Sequence, residues 1–133
     1  MTVISEKTLI QKLKYLGIER NDVVYVHSDL FQFGFFKDST ESISLCLNQD
    51  TLFRSLMEIL GENGTICIPA FTSVWYSKTP IKNINTGLFS KYIAQLPESK
   101  KTRHGMLSIA SIGKFAKDIC SKSLISSFTR QPM

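Results

Sequence analysis

The chain has 133 residues, of which 43% are hydrophobic and 20% charged. That balance suits one globular domain able to bury about two-thirds of its unfolded surface, and it is not that of a disordered chain. No apolar run approaches the ~18 residues of a membrane span, and Met1 to Lys7 shows no basic-then-apolar leader, so a cytoplasmic protein without a membrane partner is expected.

Cys46, Cys67 and Cys120 are odd in number and widely spaced, as suits reduced thiols. With His27 and His104 they give no zinc-like spacing, so no metal is expected. The net charge of +5 is unevenly placed. Residues 1–96 hold nine basic and nine acidic side chains, whereas residues 97–133 hold seven and two. The basic end suggests an anionic partner, such as a phosphate group, or is simply a solvated surface. It does not suit nucleic acid, because its cations are not interleaved with stacking aromatics.

In chain order, Ser5 caps a helix predicted from Glu6 to Leu16. Its hydroxyl can accept from a free first-turn amide, which contributes about 1 kcal/mol. Ile4 and Leu9 form a staple, Leu9, Ile10, Leu13 and Leu16 share one face, and Gly17 stops the helix. After the turn Arg20-Asn21-Asp22, a buried strand runs from Val23 to His27 and opens into the polar run His27-Ser28-Asp29. A strand that delivers polar side chains at its carboxyl end is where α/β proteins usually place a ligand. Phe31, Phe33, Phe35 and Phe36 around Gly34 line a pocket or fill the core; Ser42 to Leu47 is too short to type.

A second helix is predicted from Thr51 to Leu60, capped by Asp50, with Leu52, Phe53, Leu56, Ile59 and Leu60 inward and Gly61 as its stop. Thr65 to Ile68 is the second strand, closed by Pro69. Pro69 to Thr72 then leaves the sheet as His27 to Asp29 did, so parallel neighbours would share one crevice. The loop from Ser73 to Asn85 is long enough to be functional. A third helix from Gly87 to Leu96 is capped by Thr86 and stopped by Pro97. Leu107 to Ile112 reads as a strand and Lys114 to Cys120 as a short helix. The alternation predicts a layered α/β fold with a mostly parallel sheet and flanking helices. No nucleotide-binding glycine loop and no nucleophile elbow is present. With only two histidines, imidazole base chemistry falls to His27 or His104.

Three blocks, in order, carry a resemblance. Leu16-Gly17-Ile18, Asp22 to Leu30 and Gly34 make the first. Leu60-Gly61 to Gly64-Thr65 with Ile68-Pro69-Ala70-Phe71-Thr72 makes the second. Gly87-Leu88 to Leu96-Pro97, Lys101-Thr102-Arg103-His104 and Ser108 to Gly113 make the third. Together they resemble the aminoglycoside 3-N-acetyltransferase family. The resemblance implies an antibiotic N-acetyltransferase-like α/β fold. It also implies acetyl transfer from acetyl-CoA, as co-substrate, to an amine of an aminoglycoside or other amino sugar. By carry-over, His27, Ser28, Phe71, Thr72, Lys101, Thr102, Arg103 and Ser108 would bind the cofactor, and His104 is the catalytic candidate.

The sequence departs from the family pattern at three points. Asp29 stands where a second serine is usual. Lys101-Thr102-Arg103-His104-Gly105 stands for Arg-Ser-x-His-Pro, and Lys for Arg loses bidentate phosphate binding. Family members are also longer, with a later half carrying the main base. The expectation is therefore that residues 1–133 form the N-terminal part of a single acetyltransferase-like domain. The expected partners are a small-molecule amine and either the absent C-terminal half or a homo-oligomeric copy. The alternative is a non-catalytic ligand-binding or protein-interaction module derived from that family.

Overall fold

A computed structural model describes residues 3–37, 41–44, 46–71, 84–102 and 108–121. A short strand β1 (Val3–Ser5) leads directly into α1 (Glu6–Tyr15). The Ser5 hydroxyl accepts from the Thr8 amide at 3.2 Å, as the cap rule requires. Leu9 is buried and Leu13 partly so, but Leu16 is 76% exposed. Leu16 is the C-cap, already turning toward Gly17, so it leaves the stripe that the helical period assigned to it.

The strand after the first turn is β2 (Val23–Tyr25). Asp29 then caps one turn of 3₁₀ helix, Leu30–Phe33, by accepting from the Phe31 amide at 3.1 Å. β3 (Phe35–Lys37) and β4 (Ile43–Ser44) follow. β3 lies parallel to β1 and antiparallel to β4 in a small three-stranded sheet. Among the aromatics of this stretch, Phe36 is core, Phe33 packs against it and Phe31 faces solvent.

α2 (Gln49–Leu60) starts two residues before the predicted Thr51. Its cap is Asn48, whose side chain accepts from the Asp50 amide at 2.8 Å; Asp50 lies inside the first turn. Thr65–Pro69 forms β5, buried along its whole length. α3 (Leu88–Gln95) follows. Then come β6 (Lys100–Lys101), β7 (Ile109–Gly113) and α4 (Ala116–Ser121).

The main sheet has the order β2-β5-β7-β6. β2 and β5 are parallel, with Val24 opposite Ile66. β7 runs antiparallel to both β5 and β6. The layered α/β class holds, but the sheets are mixed rather than mostly parallel. The reason is β6, an edge strand of two lysines between α3 and β7: it reverses the chain before β7 enters the sheet. Lysine on an edge strand discourages edge-to-edge pairing, and it also carries no apolar signal.

One face of the main sheet packs on α2 and α3, and α1 packs against α2. Leu52, Leu56, Leu60, Phe89 and Ile93 cover Ile66, Ile68, Ala110 and Ile112 there. The other face carries Cys67 and Ser111, 3.3 Å apart at Sγ and Oγ, under α4. β2 was expected to be buried, yet Val23 is 51% and Tyr25 53% exposed. β2 lies at the sheet edge, and its α4-side face opens onto an apolar cleft of about 580 Å³ between Val23, Tyr25, Cys67, Ile109 and Ile119. Gly113, at φ +122°, lets β7 pass the start of β5. A Cβ there would stand 2.2 Å from the Gly64 carbonyl oxygen. Among the described residues no helix is long and apolar enough to cross a membrane.

Candidate functional site

A crevice of about 680 Å³ lies where β2 and β5 end. One wall is the run from His27 to Phe31, and the other runs from Asn85 to Leu88. The first wall arises because β2 is short. The Val26 amide donates to the Cys67 carbonyl at 2.8 Å, and the chain then leaves the sheet. Leu30, fully buried, anchors the far end of the wall.

The second wall is fastened to the end of β5. The Thr86 hydroxyl donates to the Pro69 carbonyl at 2.5 Å, and the Asn85 amide donates to the Phe71 carbonyl at 3.2 Å. Thr86 is therefore a tie to β5 and not the predicted cap of α3. The N-cap is Gly87, at φ +104°, and it makes no side-chain cap bond. A Cβ on Gly87 would lie 3.2 Å from the Ser28 carbonyl oxygen, so glycine lets the two walls meet.

Two features mark the crevice as able to hold a polar ligand. The Ser28 Oγ is buried and has no hydrogen-bond partner. The first-turn amides of α3 receive no side-chain cap, and such amides suit an oxygen acceptor. A buried hydroxyl without a partner costs about 1–3 kcal/mol, so a ligand oxygen or amide at Ser28 would recover part of that cost. The structure thus fits an amide- or oxygen-rich ligand.

The structure brings His27 and Ser28 together in the crevice and holds Phe71 behind it through Asn85. Lys101, Thr102 and Ser108 lie at the same end of the sheet, because β7 runs antiparallel to β5. They do not line the crevice. Thr102 is buried, and its Oγ1 accepts from the Ile109 amide at 2.9 Å. Ser108 is buried, and its carbonyl accepts from the Ala70 amide at 2.8 Å. Lys101 is half-buried, and desolvation pushes its ammonium pKa down. Thr72, Arg103 and His104 lie outside the described residues. Among the described residues no group of three or more His, Cys, Asp or Glu is placed to hold a metal.

Asp29 uses its carboxylate on the Phe31 amide and, at 3.5 Å, on the Gln32 side chain. Sequence reasoning missed the wall from Asn85 to Leu88. Its signal was the pair Thr86-Gly87 at the close of a long loop.

Comparison with known proteins places this architecture. No curated protein matches the chain. A crystal structure of the aminoglycoside acetyltransferase AAC(3)-IVa, without ligand, is similar at a TM-score of 0.74 and 23% identity. The match covers 91% of this chain and 45% of that one. AAC-IIIb in binary complex with CoASH gives 0.69 and 14%, over 92% and 50%. Sisomicin-bound AAC-VIa gives 0.70 and 22%, over 91% and 50%. The chain thus spans about half the length of these solved structures. The family model for aminoglycoside 3-N-acetyltransferase matches residues 25–131, and with most of its length inside that match the chain belongs to the aminoglycoside 3-N-acetyltransferase family.

Proposed function

We propose that the chain is the donor-binding part of a CoA-dependent N-acetyltransferase, acting on an amine of an aminoglycoside or another amino sugar. The observation that carries this reading is the family match over residues 25–131, which takes in both walls of the crevice. CoASH is named with one similar structure and sisomicin with another, which supports the donor and the acceptor class. In such a transfer the amine nitrogen attacks the thioester carbonyl carbon. A C–N bond forms, the C–S bond breaks, a base takes the amine proton and the thiolate leaves to be protonated. On this reading Ser28 and the start of α3 hold the donor, Lys101, Thr102, Arg103 and Ser108 support its anionic end, and His104 takes part in proton transfer. The main base and an acidic seat for a polycationic amine lie in the half of the relatives' length that this chain does not cover.

The test is thermal unfolding of the 133-residue chain with and without excess acetyl-CoA, together with thiol release in the presence of apramycin or glucosamine. The expected result is a midpoint that rises with acetyl-CoA and little thiol release. Thiol release that His104→Ala abolishes would instead place the whole reaction in this chain. The second reading, an interaction module derived from the family, is favoured by the open apolar face beside Tyr25. It predicts no shift of the midpoint with acetyl-CoA.

A further inference from the structure

We propose that the chain forms a two-fold dimer through the outer edge of β2, in which Val23 of each copy pairs with Tyr25 of the other. The inference goes beyond the acyl-CoA reading and is independent of it, because it stands on the edge strand and not on the crevice.

The backbone of β2 is the first argument. The Asp22 carbonyl accepts from the Thr65 amide at 3.1 Å, and the Val26 amide donates to the Cys67 carbonyl at 2.8 Å. Peptide groups alternate in direction along a strand. Val24, midway between these two bonds, therefore also turns to β5, and Val23 and Tyr25 aim their N–H and C=O groups away from it. Among the described residues β2 is the terminal strand of the order β2-β5-β7-β6, so these groups point off the sheet. The opposite edge, β6, consists of two lysines, the kind of residue that blocks edge pairing. Val23-Val24-Tyr25 has neither lysine nor proline. The sheet thus guards one edge and leaves the other ready to pair.

The side chains are the second argument. The same two residues, 51% and 53% exposed, stand on the α4 side of the sheet and line the apolar cleft with Cys67, Ile109 and Ile119. They present outward backbone and uncovered apolar surface together, and a second copy of β2 matches both. Laid antiparallel about a two-fold axis beside Val24, it sets Val23 opposite Tyr25 and Tyr25 opposite Val23. Each of these outward pairs exchanges two N–H···O bonds, and Val24 meets its own counterpart as the narrow pair between them. Asn21, at φ +68°, ends the extended run before β2, and the chain leaves the sheet after Val26, which holds the ladder to this register. Such a contact is self-complementary and closes on itself. It joins two four-stranded sheets into one, with both α4 helices on the same face.

Size sets the strength. At about one hydrogen bond per 100–200 Å² of interface, the ladder buries roughly 400–800 Å² in all. That is below the ~1,200 Å² of a standard interface, so the pair is weak and exchanging, with a Kd on the order of 10–100 µM. Each copy carries a net charge of +5, so salt screens their repulsion and should tighten the dimer.

The experiment is sedimentation velocity of the 133-residue chain across concentrations that bracket this Kd, at low and high salt. Two variants accompany it. Tyr25→Pro removes an outward N–H and none of the bonds to β5, as edge strands tolerate; Val23→Lys places a charge on the edge. Disulfide trapping of Val24→Cys and of Tyr25→Cys, each with Cys46→Ser, then reads the register.

The expected result is a monomer–dimer equilibrium that salt strengthens and that each edge variant weakens about tenfold or more. Val24→Cys should cross-link, since the Cα atoms of a narrow pair lie about 4.5 Å apart, within disulfide reach. Tyr25→Cys, offset from its own counterpart along the strand, should not.

Four results overturn the inference. A parent that stays monomeric at every concentration removes it; if Phe128→Ser then dimerises, residues 122–133 cover the edge in place of a second copy. A dimer that both edge variants keep uses another surface. Trapping of Tyr25→Cys in place of Val24→Cys refutes the register. Growth beyond the dimer shows an open-ended contact and not a two-fold one.

Discussion

At Ser28 a hydroxyl is withdrawn from water with nothing to bond. Such a group costs the fold something, and in return it stands ready for a ligand. Ser28→Ala should therefore leave the midpoint of the ligand-free chain unchanged or slightly higher. The same change should remove one hydrogen bond to the donor, worth about 1 kcal/mol or roughly fivefold in Kd. Unfolding curves with and without acetyl-CoA check both halves of this expectation, and a lower midpoint without ligand would count against it. At this scale the sequence was informative about residue type and silent about direction. His27-Ser28 is legible as the polar end of a strand, and its neighbour Asp29 is legible as an anomaly. That Asp29 caps a turn is not, because capping depends on the dihedral angles that Leu30 adopts when it is buried. Thr86 shows the same limit. Its hydroxyl suits an N-cap in sequence, but Pro69, with its free carbonyl, offers a partner that only the sheet brings near.

Among the elements, α1 and α2 were legible because each combines a period, a cap and a stop. α2 shows how far this goes. Its inward residues were identified from spacing, yet its start moved two residues because Asn48 outcompetes Asp50 for the cap. The strands were legible where they carry an apolar run, as in buried β5 and half-exposed β2. Strands such as β1, β4 and β6 have two or three residues and no apolar run, so the direction of β7 could not be foreseen. α4 carries a prediction of its own. It packs on β7 partly through Cys120, whose thiol burial pushes from its ordinary 9.0 to about 11. The folded state then prefers the protonated thiol. Its contribution is present below pH 9, where the unfolded chain also keeps the proton, and is lost as pH rises through 11. The stability difference between the parent and Cys120→Ala should therefore narrow between pH 9 and pH 11 in urea titrations. A constant difference across that range would show that the thiol does not titrate there.

At the scale of the molecule, the two faces of the main sheet are unequal. The face under α2 and α3 is closed, whereas the face under α4 leaves Val23 and Tyr25 in water at an edge strand. Exposed apolar surface next to an unpaired strand edge favours association. The chain should sediment as a concentration-dependent mixture, and Tyr25→Lys should shift it toward the monomer. Sedimentation that is independent of concentration, in parent and variant alike, would remove this expectation. The sequence could not show the open face, since Val23 to Val26 reads the same whether a second layer covers both sides or one. Only the position of β2 at the end of the order β2-β5-β7-β6 decides it.

The meeting of Gly87 with the Ser28 carbonyl has a kinetic consequence. The two walls of the crevice belong to segments far apart in the chain, joined through the β2–β5 pairing and the ties from Thr86 to Pro69 and from Asn85 to Phe71. Contacts of that kind form late, after loop closure has been achieved elsewhere. The crevice is then expected to form after the folding nucleus, so that a ligand bound in it should slow unfolding more than it speeds folding, which stopped-flow rates with and without ligand would check.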